Sequence, residues 1–211
     1  MIDVSTQINA VERALATRTI PEGEATVLTM SQTFPTDAAD LWDAVTTATR
    51  IPQWFLPITG DLRAGGTYQT EGNAGGTIES CDAPTHFRAT WEFGGEVSWI
   101  EVTITPVDET HATFTLEHIA IPKEEFATEF GPGAVGIGWD MGLIGLALHT
   151  ASGKAVDPAA YQTWAMTEDG LDFVRQSSAR WRDASIANGT DPDAAQAAAD
   201  RVTAFYTGAE A

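Results

Sequence analysis

Residues 86–106 read HFRATWEFGGEVSWIEVTITP. Two runs of alternating side chains flank Gly94-Gly95, a dipeptide suited to the positive φ angles of a two-residue hairpin turn. Such a turn sets Phe93 opposite Glu96, and the rest of the register follows by counting. Phe87, Ala89, Trp91 and Phe93 then share a face with Ser98, Ile100, Val102 and Ile104, while His86, Arg88, Thr90, Glu92 and Glu101 point away. The next run keeps the same period, with Ala112, Phe114, Leu116 and His118 against His111, Thr113, Thr115 and Glu117.

Outward from this hairpin, turn signals at Gly65-Gly66, Gly72-Asn73-Ala74-Gly75, Ala83-Pro84 and Asp108-Glu109 cut the middle of the chain into an antiparallel meander. Upstream, Leu28, Met30 and Phe34 alternate with Thr29, Ser31 and Thr33, which predicts a half-buried strand from Thr26 to Phe34. Thr36 or Asp37 offers a helix N-cap before the stripe Leu41, Trp42 and Val45, and Pro52 and Pro57 bracket a turn carrying Trp54 and Phe55. Val4, Ile8, Val11 and Leu15 recur at helical spacing, so an amphipathic helix is expected over 3–17. Downstream of Gly131-Pro132-Gly133, the stripe Val135, Trp139, Leu143, Leu146 and Thr150 predicts a long helix ending near Gly153. Its Gly136, Gly138, Gly142 and Gly145 each cost about 1 kcal/mol relative to alanine, which asks for close backbone approach, most simply to the sheet. Two further helices are expected in the tail. Thr167 caps one bearing Leu171, Val174, Ser178 and Trp181, and the other runs from Asp191-Pro192 to Gly208.

The 211 residues suffice for one well-filled core with extensions. With 30 acidic against 11 basic residues the formal charge is −19, which repels phosphate backbones and anionic lipid alike and argues against nucleic acid as a partner. High alanine content and only two lysines, Lys123 and Lys154, fit genome bias or a salty habitat as a source of the acidity. A single cysteine, Cys81, precludes an internal disulfide and a Cys-x-x-Cys site. The N-terminus lacks a basic start and an apolar run, and the most apolar stretch, Gly133 to Thr150, contains Asp140 and His149. A cytoplasmic protein without a membrane span is the expectation.

Taken together, Leu41-Trp42-Asp43-Ala44, Trp54-Phe55, Gly60-Asp61-Leu62-Arg63-Ala64-Gly65-Gly66, Gly76-Thr77-Ile78, Thr90-Trp91-Glu92 and Gly138-Trp139-Asp140 resemble the SRPBCC (START-like) superfamily. Within it, they are similar to the group homologous to the C-terminal domain of the heat-shock protein 90 ATPase activator. The resemblance covers roughly residues 25 to 150. It implies an α+β helix-grip fold, in which a curved antiparallel sheet wraps a long C-terminal helix around an apolar cavity. The expected organisation is an N-terminal helical extension over 1–24, the helix-grip domain over 25–153 and a C-terminal helical extension over 154–211. A fold of this kind does not choose a function. A binding protein for a small hydrophobic or amphipathic ligand leads. A cyclase- or hydrolase-like enzyme and a chaperone-associated co-factor are the alternatives, and the tail helices pack either on the domain or on a second copy in a homodimer.

The register and the resemblance nominate Trp54, Tyr68, Ser80, Trp91, Ser98, His118, Trp139 and Leu143 as ligand-lining, a mixture of aromatics and isolated polar groups. Packing alone would also explain the tryptophans. His118 stands where an apolar side chain belongs and titrates near neutrality, so it is the one candidate for proton transfer; more commonly such a histidine is a satisfied core residue. No metal is expected, because His86, His111 and His149 show no ligand spacing with it. Gly131-x-Gly133-x-x-Gly136 matches a dinucleotide fingerprint formally, yet Lys123 to Phe130 before it reads as polar helix or loop, not strand, so no cofactor is expected. Cys81, of opposite parity to Ser80, is expected to face away from the cavity.

Overall fold

The Gly94-Gly95 turn forms as the sequence predicts: both glycines have positive φ, 61° and 84°, and Phe93 pairs with Glu96. Around it, the computed structural model describes residues 3–209. In chain order the elements are α1 (Val4–Ala10), β1 (Val11–Ile20), β2 (Gly23–Phe34), α2 (Ala38–Thr46), a 3-10 turn (Ile51–Gln53), β3 (Ile58–Gly60), β4 (Thr67–Thr70), β5 (Gly75–Asp82), β6 (His86–Phe93), β7 (Glu96–Pro106), β8 (Ala112–Ala120), α3 (Glu124–Phe130), α4 (Gly133–Ser152), α5 (Pro158–Ala165), α6 (Glu168–Ala187) and α7 (Pro192–Thr207). The strands form one curved, eight-stranded antiparallel sheet in the order β1-β2-β8-β7-β6-β5-β4-β3. Two compact units result. One holds Met1–Leu28, Ile121–Ile144 and Asp157–Ala211, the other Thr29–Ala120 and Gly145–Val156.

The second unit is the meander with α2 and the last two turns of α4. Phe34, Leu41, Ile104, Leu116, Ile119 and Leu146 are almost wholly buried in it, each worth about 1.5–3 kcal/mol by removal of apolar surface from water. Asp37 caps α2 by accepting from the Asp40 amide at 2.9 Å. The end of α4 is anchored twice. A Cβ at Gly145 would lie 2.1 Å from the Trp54 carbonyl oxygen, so only glycine admits that approach. Arg50 donates to Asp40 at 2.9 Å and Asp43 at 2.8 Å, and its Nε reaches His149 Nε2 at 3.3 Å. The other ring nitrogen of His149 lies 2.9 Å from the Lys154 carbonyl, an acceptor only, so Nδ1 carries the proton and Nε2 accepts from Arg50.

In the first unit the expected helix over 3–17 is corrected: α1 stops at Ala10 and the chain continues as β1. The turn at Pro21-Glu22 leads straight into β2, its sheet neighbour, and sheet pairing overrides the helical spacing of Val11 and Leu15. The stripe on α4 also shifts. Val135 is exposed, whereas Gly136, Ile137, Asp140, Leu143 and Ile144 are buried. The helix glycines do mark close approach, but to other groups than the strands: a Cβ at Gly136 would meet the Trp181 indole at 2.3 Å, and one at Gly133 would meet Val202 at 2.9 Å. The tail helices form as expected, capped by Thr167 and Asp191 and closed by Gly208 at φ 68°, and they bury Phe173, Trp181 and Val202. The preceding α5 is an element that the sequence reading did not separate.

By length and composition α4 could cross a bilayer, with 20 residues and a mean hydropathy of 1.2. Of that window 44% is buried inside the protein, and Asp140 at its middle is fully hydrogen-bonded to protein groups, as in a core helix.

Candidate functional site

The site is built on one cross-strand row. Tyr68 pairs with Gly76; the pairing of Gly75 with Glu92 then puts Gly76 beside Trp91; and Trp91 pairs with Ser98. His118, paired with Ile100, stands two residues along the same face from Ser98. Tyr68, Trp91, Ser98 and His118, four of the eight nominated residues, therefore converge. Tyr68 is buried and its Oη donates to the Thr90 carbonyl at 2.7 Å. A Cβ at Gly76 would lie 2.2 Å from that same oxygen, so glycine at this place is what lets the two strands and the phenol share it. Burial first, and the Glu92 carboxylate second, hold the Tyr68 phenol above its ordinary range, so it remains a donor.

Ser98 Oγ donates to the Trp91 carbonyl at 2.9 Å and lies 2.9 Å from His118 Nε2. With the hydroxyl proton directed to the carbonyl, Nε2–H is the donor to Ser98 Oγ, an arrangement that the neutral Nε2 tautomer satisfies. Burial agrees, pushing the His118 pKa down to about 4. A serine nucleophile would need the opposite arrangement, its own proton aimed at the imidazole. The Trp91 and His118 rings meet edge to face at 6.5 Å. The pair is thus a neutral polar spot on an apolar floor of Ile100, Val102, Phe114 and Leu116, all buried.

The remaining nominees go elsewhere. A register shift between Ile78 and Ser80 sets Ser80 opposite Arg88, on the charged face where Arg88 binds Glu79 at 2.6 Å and Glu101 at 2.5 Å. The expected inward position of Ser80 is corrected by that bulge; Cys81, expected to face away from the cavity, pairs with Phe87 in the shifted register and is exposed. Trp54 is half-buried, its Nε1 donating to the Ala44 carbonyl at 2.8 Å. Trp139, half-buried, and Leu143, buried, lie on α4 within the other unit.

Two features escaped the sequence reading. Gln32 is buried on β2 among Leu28, Met30 and Phe34; it breaks an apolar alternation just as His118 does, and that signal was present. The first unit holds a buried ion pair at Asp140. Arg13 Nε and Nη2 donate to its two oxygens at 3.0 and 2.9 Å, Ser177 Oγ at 2.5 Å and Trp181 Nε1 at 3.0 Å. Arg13 Nη1 reaches the carbonyls of Ile8 and Val11 at 3.1 and 2.9 Å. Only the aspartate in an apolar helix was visible in advance.

Known proteins share this architecture. Residues 35–147 match the family described as activator of Hsp90 ATPase homolog 1-like protein. The solution structure of CalU16 from Micromonospora echinospora is 30% identical, with a TM-score of 0.69 over 85% of this chain and 97% of that one. DynU16, from the dynemicin biosynthetic locus, is 19% identical with a TM-score of 0.53 over 61% of this chain and 48% of its own, a likeness of fold. So is that to the Aha1 dimer from Colwellia psychrerythraea, 13% identical with a TM-score of 0.50 over 61% and 98% of the two chains. Among curated proteins, none matches the chain. The match spans more than half of the sequence and coincides with the meander, α2 and most of α4, and the chain belongs to the activator of Hsp90 ATPase homolog 1-like family, of SRPBCC fold.

Proposed function

We propose that this chain is a cytoplasmic binding protein that holds a small apolar or amphipathic molecule against the inner face of β4 to β8. The observation that carries this reading is the row Tyr68, Trp91, Ser98 and His118. Aromatic surface and a few placed polar groups share one face, Trp91 and Ser98 are only half-buried, and the Glu79, Arg88 and Glu101 charges lie opposite. Enzymatic chemistry has less support, since the Ser98–His118 pair is aligned against proton abstraction from the serine.

Nile red, an uncharged dye, tests this. It should bind saturably with a blue-shifted emission, and Trp91→Ala should weaken it by roughly tenfold, the scale of one lost aromatic contact. Absence of saturable binding, or equal binding by Trp91→Ala, would overturn the assignment. A chaperone-facing role has the family description behind it; co-purification of an Hsp90-type chaperone with the full chain would favour it instead.

A further inference from the structure

We infer that the molecule held on this face carries no negative charge and presents a hydroxyl group to Ser98; this rests on the binding reading above and specifies its ligand. Counting along the paired strands, the inner face carries Tyr68, Gly76, Ile78, Phe87, Ala89, Trp91, Ser98 and the alternation from Ile100 to Ile104, with Ala112 to His118 beyond and the exposed Phe93 and Glu96 at its turn end. No lysine or arginine occurs among these positions. The arginine of β6, Arg88, lies on the opposite face between Glu79 and Glu101, and Arg50, beyond α2, is occupied by Asp40 and Asp43. The imidazole of His118 offers no charge either, because burial keeps it neutral.

A carboxylate, sulfate or phosphate brought onto this floor would lose its hydration with no cation to meet it, and a buried unpaired anion is among the costliest arrangements in a protein. The net charge of −19 adds a long-range penalty against anions.

The polar handle has a direction too. A serine hydroxyl has one proton and two lone pairs. In Ser98 the proton goes to the Trp91 carbonyl and one lone pair accepts from His118 Nε2–H. The second lone pair is an acceptor, so the complementary ligand group is a donor. Tyr68 cannot substitute, since its proton is already committed to the Thr90 carbonyl. A neutral ligand hydroxyl fits; a ligand ether or ester oxygen does not.

The test is a matched series on the intact chain at neutral pH, read by displacement of Nile red and by native mass spectrometry: 2-naphthol, 2-methoxynaphthalene and 2-naphthoate. The expected order has 2-naphthol tightest, about tenfold ahead of the methoxy compound for one hydrogen bond, and 2-naphthoate weakest. Ser98→Ala should bring 2-naphthol down to the methoxy compound by native mass spectrometry, with far-ultraviolet circular dichroism and the urea midpoint reporting that the variant is folded. Binding of 2-naphthoate equal to or tighter than 2-naphthol overturns the exclusion of anionic ligands. Equal binding of the hydroxy and methoxy compounds, or indifference of 2-naphthol to Ser98→Ala, overturns the claim of a donor. If Nile red itself fails to bind, the binding reading falls and this inference falls with it, an outcome distinct from the other two.

Discussion

Asp140 and His118 are both polar residues set where the sequence pattern calls for an apolar one, and each is more than nine-tenths buried. Their surroundings differ in kind. Both Asp140 oxygens are taken, by Arg13, Ser177 and Trp181, and Arg13 spends its remaining reach on two backbone carbonyls. His118 is neutral, its Nε2 contact is Ser98, and Ser98 is half-buried with acceptor capacity to spare. A charged group closed on all sides by its own chain ties helix α4 to β1 and α6. A neutral group that opens toward a partly exposed face can serve a guest. Saturation, more than burial, separates the polar residue that holds a fold from the one that can recognise a ligand.

The contrast can be broken most directly at Asp140. Asp140→Asn should leave the Arg13 guanidinium buried without its counter-charge and cost about 3–5 kcal/mol in urea unfolding. The double variant Arg13→Met/Asp140→Leu should recover much of that; if the single variant costs less than 1 kcal/mol, the pair is not the structural tie described.

The histidine half is tested by pH. The folded-state pKa of His118, about 4, lies below the ordinary 6.5, so below pH 6.5 the unfolded chain binds the proton more readily than the folded one. Stability attributable to this residue is therefore full at pH 7 and is lost as pH falls through 6.5 toward 4. The loss should reach about 2–3 kcal/mol at pH 4.5, and His118→Gln should remove that part of the slope. An identical pH profile in the variant would show that His118 is not the buried neutral group.

Smaller effects sharpen the picture. Gly145→Ala must displace either α4 or the Trp54 carbonyl, a backbone atom that cannot rotate away, and should lower stability by about 1–3 kcal/mol. Tyr68→Phe removes the bond to the Thr90 carbonyl and should cost about 1 kcal/mol, visible as a small drop in the urea midpoint at unchanged slope. A larger loss in either case would mean that the row around Gly76 and the clasp on α4 are more strongly coupled than their separate contacts indicate.

Much of the architecture was legible because it rests on local rules. Period two and the Gly94-Gly95 turn determine which residues of β6 and β7 share a face; period 3.6, Asp37, Thr167 and Asp191 place helices; and Trp91, Ser98 and His118 follow by counting from one turn. Counting fails where the chain departs from the period without a local sign. The bulge that turns Ser80 outward is set by how β5 lies on β6, and the passage of Val11 to Ile20 into a strand is set by the presence of β2 beside it. Likewise, the sequence alone shows an aspartate in a glycine-rich apolar helix, but only tertiary structure brings Arg13 to it from 127 residues away, because an ion pair between distant segments leaves no periodic trace in either.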